Sequence, residues 1–235
     1  MDDELEEKRS KGKFWIRALI VGACLIVIFA LVRVFGVFQW YTVEGVGNMP
    51  ALKDGDQILA TNLSTPERFD LVTFKYDYNG FEEVWIKRIC AFEGEIVSFE
   101  DGAFFVDGQN MDIGLDLQYR YRCESAYAEI IARDLELVYF VDYYPTVRPD
   151  YYKDSMDLFL THKQAKRKPL LERRILNVAN DSIEAYWGEK WNTDYFGPVT
   201  VPKGYCFLLG DNRSNCLDSR YIGFIKTEDI YGVLF

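Results

Sequence analysis

The feature that most constrains this chain is the run from Phe14 to Phe38, almost wholly apolar, with Arg17 near one end and Arg33 near the other. Its uninterrupted centre, Ala18 to Val32, is short for a bilayer. With the apolar flanks counted and both arginines reaching toward the head groups, the run extends to about 25 residues, enough to span. A charge near the interface costs far less than one at the bilayer centre. Trp15, Trp40 and Tyr41 stand where interfacial aromatic belts form. The apolar residues surround the helix axis, whereas a buried helix of a soluble domain would carry them on one face. A cleaved leader would have a shorter apolar region ending in small residues, and Phe38-Gln39-Trp40 supplies none. Residues 1–13 therefore read as a tail and residues 14–38 as a membrane anchor. Lys8, Arg9, Lys11, Lys13 and Arg17 precede the span, and no basic residue falls between Val34 and Leu52. That asymmetry predicts a single-pass protein of the cell membrane with a cytoplasmic N-terminus and an extracytoplasmic body, the bilayer being its first partner.

The body, residues 39–235, is long enough for one packed domain of ordinary size. A net charge of −10 argues against nucleic acid as a partner, because phosphate binding needs clustered Lys and Arg. The 16 Tyr and 17 Phe provide for a sizeable core and argue against global disorder. With one histidine, His162, and no Cys-x-x-Cys pair, neither a metal site nor a cofactor is expected. Outside the anchor, Cys90, Cys123, Cys206 and Cys216 allow three complete disulfide pairings, and the sequence does not choose among them.

Past the anchor the periodicity turns strand-like. Gln57-Ile58-Leu59-Ala60 follows a Lys53-Asp54-Gly55-Asp56 turn, and Leu71-Val72-Thr73-Phe74 follows a second polar break. Glu83 to Phe92 alternates as a strand. Ile96 to Phe99 and Ala103 to Val106 flank Glu100-Asp101-Gly102, a tight hairpin with Asp-Gly at the turn. Pro198 to Pro202 and Tyr205 to Leu209 read as two more strands. Between about Asn110 and Asn192 the texture becomes rich in Tyr, Arg and Lys, with basic residues from Lys163 to Lys168 and at Arg173-Arg174. This stretch reads as an insertion or cap of mixed α/β character, with Ala126 to Glu136 open to helix and Leu137 to Tyr143 open to strand. Its basic run is taken as a solvated face in preference to a site for anionic lipid. The fold class is thus mainly β: a transmembrane helix, then an antiparallel β domain with a mixed insertion.

Four segments, in order, resemble the type I signal peptidase family. They are Val43 to Leu52 with Gly55-Asp56; Arg68 to Phe74; Trp85-Ile86-Lys87-Arg88-Ile89 with Gly94-Glu95; and Phe196 to Pro202 leading to Gly210-Asp211-Asn212-Arg213 and Asp218-Ser219-Arg220-Tyr221-Ile222-Gly223. A Gly-Asp-Asn-Arg quartet alone suits any β turn. Followed by Asp-Ser-Arg at this spacing, behind a Lys-Arg strand and an N-terminal anchor, it is specific. The resemblance implies the signal-peptidase β fold and a Ser/Lys dyad that removes signal peptides from exported proteins. In that chemistry a serine hydroxyl attacks a peptide carbonyl while a lysine kept unprotonated by burial takes its proton. The lysine position matches Lys87. Alignment on Pro50 sets the serine position at Gly47, and a one-residue slip sets it at Asn48. No Ser, Thr or Cys lies after Val43 and before Thr61, so the nucleophile is missing.

Other departures follow. Cys216 stands where the family has a serine that hydrogen-bonds near the lysine, Phe69 replaces a glycine, and Ala91, Glu93 and Glu95 replace Gly, Pro and Asp. Asp211, Asn212, Arg213, Asp218, Ser219 and Arg220 remain, as the scaffold of the lysine site. A thiol dyad of Cys216 with Lys87 is conceivable because a nearby cation activates a thiolate. A small buried thiol replacing a small buried serine is the preferred reading, since nothing in the sequence sets that sulfur on the path of attack. The resemblance further implies that peptides bind as an added strand beside Phe81, Glu82, Glu83, Val84, Trp85 and Ile86, with small pockets suited to Ala-like residues. The leading expectation is a pseudo-peptidase that captures signal peptides of exported precursors or pairs with an active relative. The alternatives are an active signal peptidase with an unconventional nucleophile, and a non-enzymatic module whose contact surface is the Tyr-rich insertion.

Overall fold

The computed structural model describes residues 2–137, 147–150 and 154–235. Helix α1 (Asp2–Val34) leads into β1 (Phe38–Thr42), β2 (Gln57–Thr61), β3 (Leu71–Tyr78) and the long β4 (Phe81–Phe92). Then come β5 (Ile96–Glu100), β6 (Ala103–Val106), β7 (Gln109–Asn110), β8 (Gln118–Glu124), α2 (Ser125–Asp134), β9 (Val147–Asp150), β10 (Ser155–Thr161), α3 (His162–Ala165) and β11 (Glu172–Arg173). The chain closes with α4 (Asp181–Trp187), β12 (Phe196–Thr200), β13 (Tyr205–Leu209), α5 (Ser219–Ile222), β14 (Ile225–Lys226) and β15 (Ile230–Leu234). The architecture is mainly β with antiparallel sheets, as the patterning predicts.

Within α1 the stretch Lys13–Val32 is long and apolar enough to cross a membrane, and none of it is buried against the rest of the protein. Its exit is tied to the body: Thr61 Oγ1 donates to the Val37 carbonyl at 2.7 Å, and Asn62 Nδ2 donates to the Phe35 carbonyl at 2.9 Å.

A seven-stranded sheet of order β1-β2-β15-β3-β4-β13-β14 forms the main body, and a four-stranded sheet, β12-β5-β6-β7, packs on it. Strand β13 shows why. Its side chains alternate, and both faces are covered: Phe207 and Leu209 join the core shared with Phe99, Phe104 and Phe196, while Cys206 and Leu208 join Val72, Phe74 and Ile89 on the opposite face. A strand buried on both faces reads as a continuous apolar run, and Tyr205-Cys206-Phe207-Leu208-Leu209 is one. Between the sheets the rings of Phe104 and Phe207 stack with centroids 6.1 Å apart. At the Asp-Gly hairpin, Asp101 and Gly102 both have positive φ (49° and 68°), the conformation that a two-residue turn between twisted strands requires. Strand β12 begins two residues before the expected Pro198, because Phe196 already pairs with Phe99 and fills the inter-sheet core.

The third sheet, β11-β8-β10-β9, carries α2 on one face around Tyr121, Ile131, Leu158 and Leu160. The helix expected over Ala126 to Glu136 is this α2. Of the stretch left open to strand, Leu137 is in neither helix nor strand, and residues 138–143 lie outside the described residues. Helix α4 packs into the inter-sheet core through Ile183 and Trp187. Its Asn180 cap accepts from the backbone amides of Ser182 and Ile183, both at 3.1 Å. Asn180→Ala should therefore destabilise the domain by about 1 kcal/mol, a fall of a few degrees in melting temperature read by tryptophan fluorescence.

Candidate active site

Lys87 lies on β4 at 8% exposure. Its Nζ donates to the Ile86 carbonyl at 3.0 Å and sits 5.3 Å from the centre of the Trp85 ring. The segment after β1 brings Gly47 and Asn48 alongside. Asn48, 6% exposed, donates through Nδ2 to that same Ile86 carbonyl at 2.7 Å. The backbone there is held from below: Asn212 N–H donates to the Gly47 carbonyl at 3.0 Å, and Asn212 Nδ2 to the Val46 carbonyl at 3.2 Å. The Oδ1 atoms of Asn48 and Asn212 are buried without a donor.

The loop from Gly210 to Arg220 completes the site. Asp211 takes a two-pronged contact from Arg88, Nε to Oδ1 at 2.7 Å and Nη2 to Oδ2 at 2.5 Å. Arg213 donates to Asp112 at 2.5 Å. Asp218 accepts from Arg220 Nε at 2.9 Å and Nη2 at 2.7 Å, and from the Gly210 amide at 3.3 Å. Ser219 Oγ accepts from the Leu208 amide at 2.9 Å, which ties the loop to β13. Arg220, 1% exposed, further donates to the carbonyls of Thr193 and Arg213 at 3.0 and 2.7 Å, and lies 5.0 Å from the Phe99 ring centre. A buried guanidinium is tolerable only with such complete pairing.

Cys216 is brought against Gly47. A Cβ added at Gly47 would sit 2.9 Å from the Cys216 sulfur, and one added at Gly210 would sit 2.2 Å from that sulfur and 2.4 Å from the Gly47 carbonyl oxygen. The residue as a whole is half-exposed, yet its sulfur occupies a niche made by two missing side chains. Gly47 does not have a positive φ, so its backbone conformation is one that any residue adopts. Burial pushes the Cys216 thiol up to about 11, opposed mainly by the nearby charge of Lys87. All five cysteines are free thiols.

A prediction follows from that balance. Alkylation of Cys216 by iodoacetamide should be slow at pH 8, where only about a thousandth of a thiol titrating near 11 is ionised, and should rise about tenfold per pH unit. Lys87→Met removes the neighbouring group that favours the thiolate, so it should slow alkylation further at pH 8, as read by mass spectrometry of the Cys216 peptide.

Strand β4 presents a free edge beside the site. Strand β13 pairs with β4 only from Arg88 to Phe92, while β3 covers the other side from Phe81 to Arg88. Ile89 exchanges backbone hydrogen bonds with Phe69 and Asp70 on the β3 side, whereas the Ile86 carbonyl faces the opposite way, toward Asn48. Alternate residues of a strand direct their amides and carbonyls to the same side. The outward groups are thus those of Glu82, Val84 and Ile86, and on this side no strand among the described residues pairs with them.

The structure therefore brings Gly47, Lys87, Cys216 and the Asp211–Arg220 loop together. Phe81 lies far along β4 from Lys87, at the hairpin tip, 72% exposed. Sequence reasoning missed Arg88 and Asp112 as the partners of Asp211 and Arg213, Asn48 as a contact of Ile86, and Gly210 as the floor of the sulfur niche. Arg88 alone carried a signal, standing next to Lys87 in the motif. Phe69, where the resemblance implies glycine, sits at φ 72°, a left-handed conformation that a bulky residue rarely adopts.

Comparison with known proteins places these observations. The family model described as signal peptidase, peptidase S26, matches residues 14–235. Signal peptidase I of Aquifex aeolicus (strain VF5) is 31% identical over 225 residues, covering 94% of this chain and 83% of that protein. Signal peptidase I V of Bacillus subtilis (strain 168) is 26% identical over 228 residues, covering 95% of this chain and 97% of the relative. A crystal structure of a signal peptidase I from Enterococcus faecalis V583 covers 73% of this chain and 98% of its own, with 22% identity and a TM-score of 0.35.

Proposed function

This chain belongs to the signal peptidase family, peptidase S26, and on that premise we propose that it is a pseudo-peptidase, which holds signal peptides of exported proteins against the free edge of β4 without cutting them efficiently. The observation that carries the reading is the approach of the Cys216 sulfur to the space that a side chain at Gly47 would fill. The position where the family resemblance expects the serine has no hydroxyl, and the space its side chain would enter lies 2.9 Å from sulfur. Loss of the nucleophile in a serine protease of another fold costs about 10⁶ in kcat, or roughly 8 kcal/mol of barrier. Peptide binding does not need that hydroxyl. An added strand needs only the outward amides and carbonyls of Glu82, Val84 and Ile86.

The basic residues before the anchor support a cytoplasmic N-terminus with the body outside, on the side where exported precursors emerge. An active relative is the natural second partner, to which a captured peptide would pass. The direct test is anisotropy of a fluorescent signal peptide titrated with the full chain in detergent micelles, with the peptide mass followed in parallel. Saturable binding with an intact peptide is expected, and turnover by the unaltered chain would overturn the proposal.

A second reading is favoured by one specific observation, the proximity of Lys87 to the Cys216 thiol, whose charge favours the thiolate. In it Lys87 takes the thiol proton and the sulfur attacks the scissile carbonyl. The amine leaves with that proton, and water hydrolyses the thioester. Burial that holds the thiol near 11 weighs against this route. If the unaltered chain cuts and Cys216→Ala abolishes the cut, the thiol is the nucleophile.

A further inference from the structure

The Ile86 carbonyl is the outward group of β4 nearest to Lys87, and it is already occupied. A carbonyl oxygen has two lone pairs, and here Asn48 Nδ2 takes one at 2.7 Å while Lys87 Nζ takes the other at 3.0 Å. Beside it, the Oδ1 of Asn48 is buried and has no donor. An acceptor buried without a partner carries a standing desolvation cost, which an incoming N–H would relieve.

We propose that Asn48 sets the register of a peptide added to β4, by occupying the Ile86 carbonyl and offering its own buried Oδ1 to the peptide N–H that this carbonyl would otherwise take. The inference rests on the strand-addition reading and deepens it, because it names what fixes the peptide along the edge. Backbone pairing then runs over Glu82, Val84 and the Ile86 amide only. Past Ile86 the peptide is held by a side chain. Its next residues, those beside Lys87 and Cys216, are set by the length and position of one asparagine. The recognised ligand is an extended peptide with a free backbone N–H at that point, so proline there should be excluded.

The test uses a synthetic signal peptide with the photoreactive residue p-benzoylphenylalanine moved along it, bound to the full chain in micelles. The readout is which peptide position crosslinks to the tryptic fragment containing Cys216. Three variants are compared with the parent. Val84→Pro removes an outward N–H at an edge where proline is tolerated, and it should weaken binding about tenfold or more. Asn48→Ala frees one lone pair of Ile86 while Lys87 still serves the other. The peptide should then pair directly with Ile86, and the crosslinked position should move by about two residues, the repeat that keeps the same side chains on the same face. Asn48→Leu, which refills the volume without donor or acceptor, should give the same shift if Asn48→Ala fails to fold. An unchanged crosslink position in the Asn48 variants, with Val84→Pro still defective, overturns the role of Asn48 and leaves the edge reading standing. Parent-like binding by Val84→Pro overturns the edge reading itself, and the role of Asn48 with it.

Discussion

Gly47→Ser combined with Cys216→Ser is expected to convert this chain into a working peptidase, with cleavage of a signal-peptide substrate on the order of 10³-fold above the unaltered protein, well inside the ~10⁶ that nucleophile loss costs elsewhere. Gly47→Ser alone should recover much less. The new Cβ would meet the Cys216 sulfur at 2.9 Å, closer than real Cβ contacts allow, so the thiol must turn out of its niche. The new hydroxyl would also compete with that sulfur for Lys87. A serine at 216 has the smaller oxygen there and leaves both relieved. Adding Lys87→Ala to the pair should return activity to the starting level, since a serine hydroxyl without a base is a weak nucleophile. The measurement is a time course of product by mass spectrometry for the single, double and triple variants. Equal rates for the single and double variants would show that the sulfur is no obstacle. No gain in the double variant would show that a hydroxyl at 47 is not enough, and that the chain holds no latent site.

The largest stability effect should come from Asp218→Asn. The carboxylate faces two donors of a guanidinium that is itself wholly buried, and it also receives the Gly210 amide. An asparagine keeps the volume but turns an NH₂ toward Arg220 and leaves the cation uncompensated. Breaking such a pair from one side costs about 3–5 kcal/mol, which for a domain of this size means a melting temperature lower by ~10 °C or more. Glu82→Gln is the contrast, because the Lys75–Glu82 pair is exposed on both sides and worth at most about 1 kcal/mol. Differential scanning fluorimetry of both variants in the same detergent reads the comparison. Parent-like melting of Asp218→Asn would mean that the Thr193 and Arg213 carbonyls suffice to hold Arg220.

The parts legible in the sequence were those fixed by local pattern. The apolar N-terminal helix, the Asp101-Gly102 hairpin and the doubly buried Tyr205–Leu209 strand each follow from a run of adjacent residues. Lys87 was legible because it sits within a strand motif with Ile86 and Ile89 beside it. What sequence reasoning left out depends on residues that meet only after folding. Nothing near Arg213 announces Asp112 as its partner, and nothing near Gly47 announces Cys216. Helix α4 was illegible for a related reason: seven residues are too few for a clear period, and its place is set by Trp187 reaching the Phe196 and Phe224 rings. The free edge of β4 was expected only from the family resemblance. Its outward residues became assignable once the Ile86 carbonyl had a direction.

The sulfur niche between Gly47 and Gly210 also constrains descent. A side chain at 47 together with a thiol at 216 is the crowded combination, so the two positions cannot change in either order at equal cost. A lineage gaining a hydroxyl at 47 passes most easily through an oxygen at 216 first, a step that by itself confers no catalysis to select for. With the sulfur seated, the uncrowded route to a hydroxyl at 47 has two steps, and only the second of them places a hydroxyl there.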